Sequence, residues 1–208
     1  MDEQFLQAHA LRMQEKKAEV QAAIGQAQQE RGVLLVLTGD GKGKSTSAFG
    51  MVLRVLGHGL RVGVVQFIKG SQASGEVTFL LQQGLLGSGP KAAVQFHAMA
   101  TGCTWNSNDW QADKAAADQA WQAALQMLRD PGISLLVLDE VTLLLKYQYL
   151  TLHELLQAVQ ARPATMNLVL TGREAPAQLL ALADTVSEIA SKRHAFQAGI
   201  KAQAGVDF

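Results

Sequence analysis

Short apolar runs alternate along most of this chain with longer stretches of helical period. Residues 33–37, 62–68, 94–99, 135–138 and 168–170 are apolar-rich and carry many β-branched side chains, and 185–189 is a weaker run of the same kind. Runs of this length predict strands buried on both faces, as in a parallel sheet covered by helices. The intervening stretches 44–56, 109–129 and 151–161 predict helices, and the last opens with Thr151-x-x-Glu154, a capping-box pattern. The alternation predicts an α/β fold with its ligand site at the carboxyl ends of the strands. Residues 82–93, with three Gly and Pro90, predict a surface loop.

Ahead of this alternation, residues 2–30 are rich in Gln, Ala, Glu and Lys and contain no Pro. Their large apolar members are Phe5, Leu6, Leu11, Met13, Val20 and Ile24. This predicts a helix with a thin apolar stripe, suited either to packing on its own domain or a partner subunit, or to a lid over a site. The expected division is an N-terminal helix over 1–30 followed by one ligand-binding domain over 31–208.

Composition narrows the class. A chain of 208 residues can bury one sizeable core without disulfides, and a single Cys rules out an intrachain bridge and suits a reducing cytoplasm. The 18 basic and 18 acidic residues cancel, which argues against a nucleic-acid partner. Charged residues are 17% and hydrophobic residues 48%, a balance that favours burial over disorder. No apolar run approaches the roughly 20 residues of a membrane span, and the polar start lacks the apolar region of a signal peptide. The expectation is a cytoplasmic protein with no membrane partner. Five His without metal-ligand spacing, and no CxxC, argue against a zinc site.

The most specific chemistry sits between the first strand and the first long helix, at Thr38-Gly39-Asp40-Gly41-Lys42-Gly43-Lys44-Ser45-Thr46. Strand, glycine-rich loop, Lys-Ser and helix in that order make a P-loop. Glycines allow successive N–H groups to turn inward around phosphate oxygens, while the helix presents its positive end. Lys44 adds a point charge and Ser45 a hydroxyl for a magnesium ion. The pattern G-x-x-x-x-G-K-[ST] wants a Gly where Thr38 stands, with Gly39 one place later. Asp40 is expected either to turn away from the phosphates or to face the metal or nucleoside end, or else to serve the turn itself. The partner motif is Leu135-Leu136-Val137-Leu138-Asp139-Glu140, an apolar strand ending in two acids. One acid is expected to hold magnesium directly or through water, and the other to orient a neighbour.

Phosphate loops serve kinases, hydrolases, motors and transferases alike, so other segments must choose. These are Gln66-Phe67-Ile68-Lys69-Gly70, Met99-Ala100-Thr101-Gly102-Cys103-Thr104-Trp105, Thr171-Gly172-Arg173, and the tail from Lys192-Arg193-His194-Ala195-Phe196 to Gly205. Together with TGDGKGKST and VLDEVT they make the chain resemble the P-loop-type ATP:corrinoid adenosyltransferases of cobalamin synthesis and salvage, over nearly its full length.

That resemblance implies a P-loop NTPase-like sheet with an N-terminal helical extension. It also implies a reaction in which a cobalt(I) corrinoid attacks the 5′ carbon of ATP and expels triphosphate. Carried over by position, Gly39, Asp40, Gly41, Lys42, Gly43, Lys44, Ser45 and Thr46 hold the nucleotide, with Arg173 close by. Ser45 and Glu140, with Asp139, serve Mg2+ or Mn2+, and Lys44 and Trp105 carry the catalytic roles. In the family, an aromatic pair displaces the lower ligand of the corrinoid and so eases cobalt(II) reduction. Trp105 matches its second member, while Cys103 stands where well-known members have Phe. Cys103 either packs as a small hydrophobe or leaves a gap that water or thiolate fills. The resemblance further implies a homodimer, a reductant such as a reduced flavoprotein, and an N-terminal helix that closes over the corrinoid. A kinase or hydrolase releasing ADP, and a low-turnover corrinoid carrier, are the alternative readings.

Overall fold

The computed structural model describes residues 2–67, 74–87, 92–99 and 109–208. The chain divides into two compact units, 1–31 and 32–208. The first is one helix, α1 (Glu3–Gln26), started by the Asp2 carboxylate accepting the Gln4 N–H and without a single buried residue. Its apolar members, including Phe5, Leu11 and Ile24, are exposed.

The second unit is built on six strands: β1 (Leu34–Thr38), β2 (Arg61–Gln66), β3 (Val94–Ala98), β4 (Ile133–Asp139), β5 (Asn167–Thr171) and β6 (Thr185–Glu188). They form one sheet in the order β3-β2-β4-β5-β1-β6, and every described pairing is parallel. The expectation of a parallel sheet is met at each predicted run. Its helices are α2 (Lys44–Gly57), α3 (Gly75–Gln82), α4 (Trp110–Leu128), α5 (Val141–Lys146), α6 (Leu152–Gln160) and α7 (Ala177–Leu182).

The period of two along the strands sorts the core. Leu135 and Val137 of β4 face one side, where they pack with Ala48, Phe49 and Val52 of α2 and Val77 and Leu80 of α3. Leu136 and Leu138 face the other, with Trp121 and Ala124 of α4 and Leu155 and Val159 of α6. Helices therefore cover both faces, and central strands must be apolar on both. The edge strand β6 is exposed throughout, which is why its run is the weakest in the sequence. Thr151 and Glu154 form the predicted capping box, the Glu154 N–H donating to Thr151 Oγ1 at 3.2 Å and the Thr151 N–H to Glu154 Oε2 at 2.9 Å.

The sequence pattern did not predict α3, α5 or α7. They are 8, 6 and 6 residues long, too short for a helical period to be read. Among the described residues, no helix is long and apolar enough to cross a membrane.

Candidate active site

Parallel strands deliver their carboxyl ends to one edge of the sheet, and the motifs of β1, β2, β4 and β5 meet there. β1 leads into the phosphate loop, whose glycines are fixed by close approach. A Cβ on Gly39 would lie 2.6 Å, and one on Gly41 2.5 Å, from the Ile189 carbonyl oxygen just beyond β6. The Gly41 N–H donates to that same carbonyl at 2.6 Å. Gly43 then starts α2 from the left-handed region at φ 117°, a conformation glycine tolerates best.

Lys44 is buried in the loop it follows, its Nζ donating to the carbonyls of Gly39 at 2.7 Å and Gly41 at 2.9 Å. Burial lowers its pKa. The Glu140 carboxylate opposes that shift, and the Arg173 guanidinium adds to it. The ammonium group is thus held at the centre of the loop before any phosphate is considered.

The two acids ending β4 have different surroundings. Asp139 is 2% exposed and both its oxygens are engaged, Oδ2 by Gln66 Nε2 at 2.9 Å and Oδ1 by Thr171 Oγ1 at 2.7 Å. Glu140 instead lines a cavity of about 530 Å³ together with the phosphate loop, Ser45 and Arg173. Its backbone takes φ 61°, uncommon for a residue with a side chain, and its N–H donates to Thr171 Oγ1 at 2.9 Å. Thr171 thereby ties the ends of β4 and β5 together. Gly172 lets β5 leave without a Cβ overlapping the Thr142 hydroxyl, and Thr142 Oγ1 donates to the Arg173 carbonyl at 2.7 Å.

Of the residues singled out in the sequence, Asp40, Gly41, Lys42, Gly43, Lys44, Ser45, Thr46, Glu140 and Arg173 line this one cavity, as do His194 and Gly205 of the tail motif. Gly39 contributes its carbonyl to Lys44, and Asp139 stands behind the cavity wall. Asp40 is exposed at the rim. Cys103 and Trp105, like Lys69 and Gly70, lie outside the described residues.

Other lining residues were not expected. Ser74 and Glu76 come from the amino end of α3, and Val206, Asp207 and Phe208 from the last residues of the chain. Asp207 pairs with Lys42 at 2.9 Å, and this hydrogen bond holds its carboxyl below the usual carboxylate range. A Ser-Gly-Glu start followed by Val77 and Leu80 was the available signal for α3; the tail was singled out as far as Gly205, just ahead of Val206, Asp207 and Phe208.

The hydroxyl of Ser45 and the carboxylate of Glu140 are hard oxygen donors on one cavity. They suit Mg2+, which takes one or two protein oxygens and completes its shell with phosphate and water. Among the described residues no three His, Cys, Asp or Glu cluster into a metal cage. A larger groove, about 610 Å³ between α4 and α6, contains no phosphate-binding element.

A glycine-rich loop between a strand and a helix, a lysine at its centre, a helix amino end and an acid two strands away define a P-loop nucleotide-binding protein. A model of the ATP:corrinoid adenosyltransferase BtuR/CobO/CobP family matches residues 30–208. The chain is 51% identical to the corrinoid adenosyltransferase of Pseudomonas aeruginosa, over 97% of this chain and 96% of that one. It is 46% identical to the corrinoid adenosyltransferase CobA of Salmonella typhimurium and 45% to the corrinoid adenosyltransferase of Escherichia coli K12, each over 100% of this chain and 99% of the relative. The chain belongs to the ATP:corrinoid adenosyltransferase family. It is an enzyme of that class, transferring the adenosyl group of ATP to the cobalt of a corrinoid.

Proposed function

We propose that the phosphate loop of this enzyme holds a leaving group. The cobalt(I) of the corrinoid attacks the 5′ carbon of ATP, a cobalt–carbon bond forms, and the C5′–O bond breaks with its electron pair passing to the departing triphosphate. Cobalt leaves the step formally as cobalt(III). No general base is required, because cobalt(I) is itself the nucleophile.

The observation that carries this reading is the single cavity on which Lys42, Lys44, Arg173, Ser45 and Glu140 converge, in a chain that the family model matches from residue 30 to its end. Lys44, Lys42 and the amino end of α2 stabilise negative charge on the triphosphate as it departs. Ser45 and Glu140 would hold Mg2+, which supplies further charge neutralisation on the phosphates when bound. Asp139, pinned by Gln66 and Thr171, orients the end of β4 from which Glu140 projects. Trp105 is assigned, on the family resemblance, to the lower face of the corrinoid. The same resemblance supports a homodimer, a reductant that delivers cobalt(I), and closure of α1 over the corrinoid.

Identifying the phosphate product of a turnover with ATP, magnesium and chemically reduced cobalamin tests this. Triphosphate equal to the corrinoid alkylated is expected; ADP would overturn it.

A further inference from the structure

The cavity lining includes Ser74, Gly75 and Glu76, which none of the sequence motifs covers. α2 and α3 contribute to one hydrophobic cluster against the sheet, α2 through Ala48, Phe49 and Val52 and α3 through Val77 and Leu80. Residues 40–46 at the amino end of α2 and Ser74, Gly75 and Glu76 at the amino end of α3 line the same cavity. Each amino end carries unbonded N–H groups and partial positive charge.

Ser74 occupies the N-cap of α3 with ordinary cap backbone angles, φ −69° and ψ 158°, and its carbonyl accepts the Thr78 N–H at 3.0 Å. A serine here normally turns its hydroxyl onto the first-turn amides. This one does not: it makes no cap bond. The residue is 4% exposed, its Oγ has no hydrogen-bond partner among the described residues, and the residue is part of the cavity lining. A buried hydroxyl in that state is costly and gains most from a ligand that supplies the missing partner.

The chemistry of that partner is set by what surrounds it. Lys42 and Lys44 line the same cavity, and the Asp207 carboxylate already meets Lys42 there at 2.9 Å. Glu76, in the same first turn, opposes a bare anion, so the site suits a phosphate whose charge a lysine or divalent cation already shares.

We propose that the Ser74 hydroxyl and the amino end of α3 form a second triphosphate contact in the cavity that the phosphate loop lines. The proposal rests on the reading that the triphosphate of ATP occupies this cavity, and it adds a substrate-binding residue to it. An enzyme that expels the whole triphosphate has reason to place donors along its length, since all three phosphates depart together.

The test is calorimetric titration of the full chain with magnesium ATP and, separately, with magnesium tripolyphosphate. S74A weakens both ligands by a similar factor, about tenfold for one hydrogen bond to a charged group. S74T, which keeps the hydroxyl, retains most of the affinity, and S74D, which puts a carboxylate against the phosphates, loses more than S74A. The melting temperature of S74A stays near that of the parent chain, because no cap bond is lost. Unchanged tripolyphosphate binding in S74A overturns the proposal. Weakened ATP binding with unchanged tripolyphosphate binding also overturns it, by moving Ser74 to the nucleoside. Equal losses in S74A and S74T together with a fall in melting temperature make the residue structural and overturn it as well. A parent chain that binds neither ligand sinks the cavity reading itself, which separates that failure from the failure of Ser74.

Discussion

Lys44 sits with its ammonium bonded to two carbonyls of its own loop, which makes it a strut for that backbone; under the proposed function it is also the charge that meets the phosphate. Lys44→Ala is expected to weaken magnesium ATP by about 10- to 100-fold, the scale of a hydrogen bond between charged partners. Lys44→Arg recovers only part of this, because a planar guanidinium cannot replace a point charge between those two carbonyls. Burial lowers the pKa of Lys44, which sets the sign of the pH effect. The charged form binds phosphate, so affinity falls as pH rises through the lowered value, at a lower pH than the ordinary lysine value of 10.5 would give. A titration of tripolyphosphate affinity from neutral to alkaline pH reads this directly; a profile centred at or above 10.5 contradicts it. At Cys103, Cys103→Phe restores the aromatic pair that the family resemblance implies and is expected to raise turnover when cobalt(II) reduction is limiting. An unchanged or lower rate under a weak reductant contradicts that expectation.

At the scale of elements, the glycines of the phosphate loop are held by what lies over them. Gly41→Ala would place a Cβ 2.5 Å from the backbone oxygen of Ile189. Overpacking against backbone costs about 2 kcal/mol, which for a chain of this size is a fall of about 4–8 °C in melting temperature. Gly50→Ala, in α2 with nothing within 4 Å of its Cβ, works in the opposite direction and gains about 0.5–1 kcal/mol from helix propensity. Thermal melts of the two variants should therefore bracket the parent; two falls would contradict the packing account. Helix α1 has no buried residue and exposes Phe5, Leu6, Leu11, Met13, Val20 and Ile24. Removal of residues 2–30 is expected to raise KM for the corrinoid while leaving ATP affinity within about twofold, a change below the 1.4 kcal/mol that a factor of ten represents. Equal loss of both would make α1 a structural helix.

Why some elements were legible and others were not follows from the same geometry. β1, β2, β4 and β5 are covered on both faces, so their apolar runs stand out, whereas β6 is exposed and its run is faint. α2 and α4 are 14 and 19 residues long and repeat their buried stripe several times; α3, α5 and α7 are too short to do so.

For the whole molecule, the phosphate loop was readable because its residues are contiguous and their chemistry is local. The rest of the cavity lining was not, since Ser74 arrives there through the packing of α3 on the sheet, and Asp207 through the path of the tail. Sequence also left Asp139 and Glu140 interchangeable; Gln66 and Thr171 separate them by taking both oxygens of Asp139. All these groups serve one central claim, that the triphosphate of ATP is expelled from its 5′ carbon by a corrinoid nucleophile. The most direct measurement uses ATP carrying 13C at C5′ and 18O in the bridge between C5′ and the α-phosphorus, mixed anaerobically with magnesium and cobalt(I) cobalamin. The account predicts a light-sensitive alkylcobalt product with the 13C bonded to cobalt, and triphosphate that retains the 18O. Release of ADP, or recovery of the 18O with the nucleoside, would contradict it.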